Sequence, residues 1–222
     1  MSLEILFPTP IIVESPSDKN KGLLFDIKLE VDACLGKIAT NDDYVSLSDV
    51  SKDKEYTTVH ARKQALKIDY SSFTGNVIQK YSLSSLMKHI QSTLQKYVNT
   101  VEWSYATDPR RNNEGLKIGM LDSWFNITEK NQRHQMHIHA HHTVSGVYYH
   151  QMKKEMGGIV FRNPNPFVSN HLFPEGPTSP NMITFVPEEG SLILFPSWLE
   201  HGTEDNQTDE DRISISFNID IF

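Results

Sequence analysis

From Leu116 to the end, the chain is written in short runs rich in Val, Ile, Phe, Tyr and Trp: LKIGMLDSWFNI, VSGVYYH, GGIVFR, MITFV, SLILF and RISISFNIDIF. Gly, Pro and Asn punctuate them at regular intervals. That pattern argues for an antiparallel sandwich, jelly roll or barrel. The last run, R-I-S-I-S-F-N, alternates most cleanly, with Arg212, Ser214 and Ser216 on one side and Ile213, Ile215 and Phe217 on the other.

The first half reads differently. LEILFPTPIIV is a short strand broken by Pro8 and Pro10, suited to a sheet edge because proline cannot donate to a ladder. Ser17 and Asp18 are candidate caps for a helix through Leu23, Leu24, Ile27, Leu29, Val31, Cys34 and Leu35. Residues 41–80 are polar and aperiodic and read as loop. After Ser82 or Ser84, the residues Leu86, Met87, Ile90, Leu94, Val98 and Val101 fall on one stripe at helical spacing, so that helix should pack against a sheet. The link DPRRNNEG reads as an exposed turn.

The expected fold is therefore mainly β with N-terminal helices. Residues 1–115 supply a strand and helical support, residues 116–222 form the β core, and no linker separates two domains.

Composition narrows the class. With 222 residues, 38% hydrophobic and 22% charged, the chain can bury a real core, so disorder, collagen and coiled coil fit poorly. No apolar run is long enough for a membrane span, and the start has no basic segment leading into an apolar one. Cys34 is the single cysteine, which excludes intrachain disulfides and thiolate clusters and suits a reducing cytoplasm. A formal charge of −7 argues against nucleic acid as partner. The oligomeric state stays open, a homodimer among the options.

Six of the ten histidines (His134, His137, His139, His141, His142 and His150) fall between residues 134 and 150. Histidines at i and i+2 of an extended segment point the same way, so His137 and His139 can reach one metal from the end of a strand. The others default to surface or packing roles. Far along the chain, His201 follows a buried-looking strand, and Arg212 opens the last strand two residues before Ser214. Three imidazoles from distant strands can hold a metal and leave positions open. A guanidinium one strand away can hold the remote carboxylate of a chelating 2-oxo dicarboxylate, with Ser214 as a hydroxyl donor.

H-x-H followed by SGVYY, a Gly-Gly strand with a proline-rich loop, G-x-L-I-L-F-P-S-W-x-x-H and R-I-S-I-S-F-N, all within Trp124 to Asn218, resembles the iron(II) and 2-oxoglutarate dependent oxygenases of bacteria and their phages. LFPTPI near the start is similar too. The resemblance implies a double-stranded β-helix (a cupin-like jelly roll) with Fe(II) as metal, 2-oxoglutarate as cosubstrate and ascorbate as an aid to turnover. It implies His137, His139 and His201 as metal ligands, and Arg212 and Ser214 as 2-oxoglutarate ligands. Tyr149 matches a position whose phenol reaches the same carboxylate, and Asn126 approaches from another wall.

The implied activity is hydroxylation of an aliphatic C–H, with release of succinate and CO2, on a peptidyl or small-molecule substrate. One departure stands out: the usual facial triad is two histidines and a carboxylate, and the position expected to be acidic is His139 here. A three-histidine set also suits zinc, and Asp122 is a candidate to complete the shell. The alternatives are a three-histidine cupin-like metalloenzyme without 2-oxoglutarate and a non-catalytic jelly-roll binding or assembly module. The loop Asn163–Asn181 is a candidate lid.

Overall fold

A computed structural model describes residues 9–40, 76–101, 118–165 and 181–221. The two sheets come from strands whose two sides carry different chemistry. One sheet has five strands in the order β1-β6-β3-β8-β2: β1 Ile12–Glu14, β6 Leu192–Pro196, β3 Val144–Gln151, β8 Arg212–Ile221 and β2 Ile118–Thr128. The other has three, β5-β4-β7: β5 Met182–Phe185, β4 Ile159–Arg162 and β7 His201–Thr203. Every pairing between named strands is antiparallel.

Alternation along the central strands makes two cores. Val144 and Tyr148 of β3, Leu192 and Leu194 of β6, and Ile215, Phe217 and Ile219 of β8 face the helices. Val147, Tyr149, Ile193 and Phe195 face the smaller sheet, where they meet Ile159 and Phe161 of β4. Strand β6 is buried on both sides, which is why it reads as an unbroken apolar run.

The helices cover the outer face of the larger sheet. Helix α1, Lys21–Thr40, buries Ile27, Val31 and Cys34. Leu29, expected on that stripe, is 54% exposed, because two residues from both Ile27 and Val31 is about 200° round the helix. The expected caps also shift. Leu24 N–H donates to Asn20 O, so Asn20 precedes the helix, and Asn20 Oδ1 accepts from Ser17 N–H instead.

After the short helix α2, Val77–Lys80, capped by Asn76, comes helix α3, Ser84–Thr100, which buries Leu86, Ile90, Leu94 and Val98 as its stripe predicts. No side chain of its own caps α3. Glu30 of α1 does so from outside, its carboxylate accepting from Ser85 N–H at 2.9 and 3.0 Å, where an acid meets the positive end of the helix dipole.

Strand β1 begins only after Pro10 and sits at the sheet edge beside β6, as expected of that segment; residues 1–8 lie outside the described residues. Of the stretch read as loop, residues 77–80 are helical and 41–75 lie outside the described residues, as do the DPRRNNEG link and residues 166–180 of the candidate lid. No described helix is long and apolar enough to cross a membrane.

Candidate metal centre and cavity

His137 and His139 lie not on a strand but in the β2–β3 connection, which is tied across the ends of β6 and β7. His137 exchanges backbone hydrogen bonds with His201 at 2.8 and 3.0 Å, and His139 N–H donates to Ser197 O at 2.9 Å. These bonds keep the segment extended, so the two imidazoles share a side while Ile138 points out, 52% exposed. Gly202 makes the approach possible. A Cβ there would sit 2.8 Å from His134 O and 2.9 Å from Met136 Sδ, so any larger residue would push the histidine segment off β7.

One ring nitrogen from each of His137, His139 and His201 lies within 4.8 Å of the others. The other nitrogen of each ring meets an oxygen: His137 Nδ1 meets Gln135 O at 2.7 Å, His139 Nδ1 meets Asn218 Oδ1 at 2.6 Å and His201 Nδ1 meets Leu199 O at 2.8 Å. Carbonyl oxygens only accept, so each Nδ1 carries the proton and each Nε2 presents a bare lone pair. His137 Nε2 and His139 Nε2 are 3.1 Å apart, with no proton to share in that tautomer. Three converging lone pairs repel unless a cation sits among them, and three neutral imidazoles are a donor set for iron, zinc, copper or nickel. Burial, the largest cause, lowers the pKa of His139 to about 4 and of His201 to about 3, so both stay neutral at physiological pH.

The histidines open on a cavity of about 390 Å³. Its polar wall is built in cross-strand rows over β2, β8 and β3. Asn126, Ser214 and Tyr149 form one row, Trp124, Ser216 and Val147 the next, and Asp122 and Asn218 the third, with Ser145 paired to Asn218 but buried behind the wall. All the residues named from the sequence, namely His137, His139, His201, Arg212, Ser214, Tyr149 and Asn126, line this one cavity. Asp122 lines it too, outside the histidine cluster. Val147, Ile159 and Phe195 give the cavity its apolar surface.

Arg212 is 2% exposed. Its Nη1 donates to Met156 O at 2.6 Å, Gly157 O at 3.1 Å and Glu204 O at 3.2 Å, and Nη2 donates to Thr203 Oγ1 at 2.7 Å. Gly157 adopts φ +79°, and a Cβ there would lie 2.7 Å from Asp205 O; glycine lets this turn bring its carbonyl to the guanidinium. The β7–β8 turn that leads into Arg212 is pinned by buried Asn206, whose Nδ2 donates to Thr128 O and Glu210 O. Every hydrogen-bond partner of the Arg212 guanidinium among the described residues is a neutral oxygen. Burial pulls its pKa below the ordinary arginine value, against the influence of Tyr149, Asp205 and Glu204. A buried cation held only by neutral oxygens favours an anionic ligand.

Tyr149 points into the cavity side of the sheet and Tyr148 into the helix side, so only the second of the pair can meet a ligand. Asn126 is already engaged: Oδ1 accepts from Trp124 Nε1 at 3.1 Å, and Nδ2 donates to Ser216 Oγ at 2.8 Å and approaches Ser214 Oγ at 3.5 Å. Of the remaining histidines, His150 packs under α1, its Nε2 2.8 Å from Asp32, and His89 lies edge-on to Tyr148.

Thr203, Trp124 and Asn218 also line the cavity, and Ser145 lies behind it; none of them is among the residues named from the sequence. Asn218 was within reach, since it continues the alternation of Arg212, Ser214 and Ser216, and Thr203 stands two residues from His201.

Residues 122–218 match the sequence model of a family described as "Putative 2OG-Fe(II) oxygenase". No curated protein matches. Among solved structures, a prolyl hydroxylase from Trichoplax adhaerens, in complex with a hypoxia inducible factor oxygen degradation domain peptide fragment, is similar over 94% of this chain and 82% of that one, at 12% identity and TM-score 0.51. An oxidoreductase of the 2OG-Fe(II) oxygenase family from Burkholderia pseudomallei is similar over 53% of this chain and 55% of that one, at 16% identity and TM-score 0.39. HygX from Streptomyces hygroscopicus, with nickel, 2-oxoglutarate and hygromycin B bound, is similar over 52% and 63%, at 15% identity and TM-score 0.33. The chain thus spans little more than half of the Burkholderia oxidoreductase. Residues 122–218 carry the sequence pattern of the 2OG-Fe(II) oxygenases, in a chain that folds as their double-stranded β-helix.

Proposed function

We propose that this protein is an Fe(II) and 2-oxoglutarate dependent oxygenase that hydroxylates an aliphatic C–H bond of a peptidyl or small-molecule substrate. The observation that carries the reading is one cavity with three bare imidazole nitrogens at one end and, at the other, a buried guanidinium bonded only to neutral oxygens. Its size lies in the range of small-molecule sites, and the family match supports the same chemistry.

The bound iron and cosubstrate supply the oxidising power, so that substrate, O2 and 2-oxoglutarate become hydroxylated substrate, succinate and CO2. The chain's own residues bind, orient and exclude water. The Nε2 atoms of His137, His139 and His201 hold the ion. Arg212 pairs with the far carboxylate of 2-oxoglutarate, with the Ser214 hydroxyl and Tyr149 phenol donating beside it. Tyr149 is suited to donating because burial, the largest cause, raises its pKa and keeps it protonated. Asn126 holds the Trp124 indole and Ser216 in place, and the apolar side chains of Val147, Ile159 and Phe195 keep water out.

A second reading keeps the metal and drops the cosubstrate, since a neutral His139 in place of an acid gives a set that zinc also accepts. Anaerobic titration separates the two. Iron(II) with 2-oxoglutarate is expected to give a visible charge-transfer band that neither gives alone, and that Arg212→Ala removes at the same cosubstrate concentration. No band in the wild type, or an unchanged band in Arg212→Ala, would overturn the cosubstrate assignment.

A further inference from the structure

Position 139 holds an imidazole where the common two-histidine, one-carboxylate triad has an acid, and an imidazole there needs something a carboxylate does not. Its second nitrogen must be fixed, or the ring can present N–H instead of a lone pair to the metal. The surroundings of His139 supply that fixation. Asn218 is 4% exposed, and Ser145 and Ser197 are fully buried. Asn218 Oδ1 lies 2.6 Å from His139 Nδ1 and also accepts from Ser145 Oγ at 2.8 Å, while Ser145 and Ser197 hydroxyls are 2.8 Å apart. Ser145 Oγ is itself 3.0 Å from His139 Nδ1. One proton arrangement is consistent throughout: Ser197 donates to Ser145, Ser145 donates to Asn218 Oδ1, and His139 Nδ1–H donates to the same oxygen.

We infer that Asn218, held by Ser145 and Ser197, is a positioning residue for the metal centre, fixing His139 as a neutral Nε2 ligand. The backbone contributes as well. Ser197 O accepts from His139 N–H at 2.9 Å, so one residue anchors both the main chain of His139 and, through Ser145, the acceptor of its ring. Asn218 is placed for this by the alternation of β8, three positions along the same face from Arg212, and Ser145 is its cross-strand neighbour on β3. The acceptor is a carboxamide, so it orients the ring without adding charge, and the three-histidine centre remains neutral. Substitution at Asn218 therefore weakens metal binding without removing a ligand.

This inference rests on the metal reading above, and the test keeps the two apart by measuring the metal alone. Cobalt(II) is titrated into the full-length protein by calorimetry, with the ligand-field spectrum recorded, for wild type, His201→Ala, Asn218→Leu, Asn218→Asp and Ser145→Ala; a thermal midpoint is taken for each apo protein. Wild type is expected to bind one cobalt, and His201→Ala to lose it. Asn218→Leu is expected to weaken binding by about 10–100-fold with an altered spectrum. Asn218→Asp, which keeps the acceptor, is expected to return to within about 3-fold of wild type.

No stoichiometric cobalt in wild type overturns the metal reading and this inference together. Tight cobalt in wild type with unchanged affinity in Asn218→Leu overturns this inference alone, as does Asn218→Asp binding as weakly as Asn218→Leu at an equal thermal midpoint. If Asn218→Leu fails to fold, Ser145→Ala decides: a loss of about 3–10-fold supports the relay, extrapolated from the same range, and an unchanged affinity overturns it.

Discussion

Strand β8 has two faces that share a backbone and almost nothing else. Toward the helices it presents Ile215, Phe217 and Ile219, each at most 1% exposed and packed in the larger core. Toward the cavity it presents Arg212, Ser214, Ser216 and Asn218, whose polar groups converge on a ligand site. The carbon face is replaceable by shape and volume, whereas the polar face is specified atom by atom through hydrogen bonds to β2, β7 and the histidine segment. Stability and ligand binding should therefore separate along alternate residues of one strand.

The largest test of that separation is Phe217→Ala. The Phe217 ring lies over Gly146 and against Leu194, where a Cβ on Gly146 would collide with it. Removing a ring from this core should cost about 3–5 kcal/mol in urea melts, with metal affinity of the folded fraction unchanged. A parallel loss of both would mean that the two faces are not separable. Arg212→Ala is the reciprocal case: 2-oxoglutarate affinity should fall by about 2–4 kcal/mol, at least roughly 30-fold, while the metal still binds. Arg212→Lys should not restore it, because the guanidinium spreads four hydrogen bonds to neutral oxygens over both Nη groups, which a single ammonium cannot reproduce. Full affinity in Arg212→Lys would leave a point charge as sufficient and the fork as unnecessary.

A smaller effect comes from the histidines. His139 and His201 have folded pKa values of about 4 and about 3, lowered first by burial, below the ordinary histidine value of about 6.5. As pH falls, the unfolded chain takes up protons before the folded one, so the stability is present in full above about 6.5 and is lost as pH descends toward the folded values. Between pH 6.5 and 5.5 the two groups should together cost the metal-free protein about 2 kcal/mol, roughly 1 kcal/mol each. Replacing one of them, as in His201→Gln, should shrink the loss measured in urea melts by about half of that share. An identical loss in the variant would place the acid sensitivity elsewhere, for instance at His89, whose pKa burial also lowers.

How much of this was legible depends on whether the cause is local. Strand β8 announces itself because R-I-S-I-S-F-N alternates, and the same alternation puts Arg212 and Ser214 in the cavity. The stripe from Leu86 to Val98 is equally explicit. Strand β7 is three residues, His201–Thr203, too few for a pattern, and it exists because β4 and the His137 backbone pair with it. The cap of α3 was missed because Glu30 lies far away in sequence. Asn218, Ser145 and Thr203 look like ordinary polar strand residues until their partners, brought from other strands, are known. In each case the hidden information is a nonlocal hydrogen bond, which composition and periodicity do not record.

The smallest expected effect probes the polar face at its finest grain. Ser216 Oγ accepts the shorter of the two contacts from Asn126 Nδ2, 2.8 Å against 3.5 Å to Ser214, and Asn126 in turn holds Trp124 Nε1. Trp124 packs near His139, their ring centroids 5.7 Å apart. Ser216→Ala takes away one acceptor from a buried amide, so a loss of about 1 kcal/mol in urea melts is expected. Ser214→Ala removes a contact at the limit of hydrogen bonding and should cost less than half as much, while weakening 2-oxoglutarate more than Ser216→Ala does. If the stability costs are reversed, Asn126 is anchored through Ser214, and the row nearest the guanidinium, not the middle row, carries the rigidity of the wall. If 2-oxoglutarate responds equally to both, the cosubstrate spans both rows, and the division of labour along the polar face is coarser than its hydrogen bonds imply.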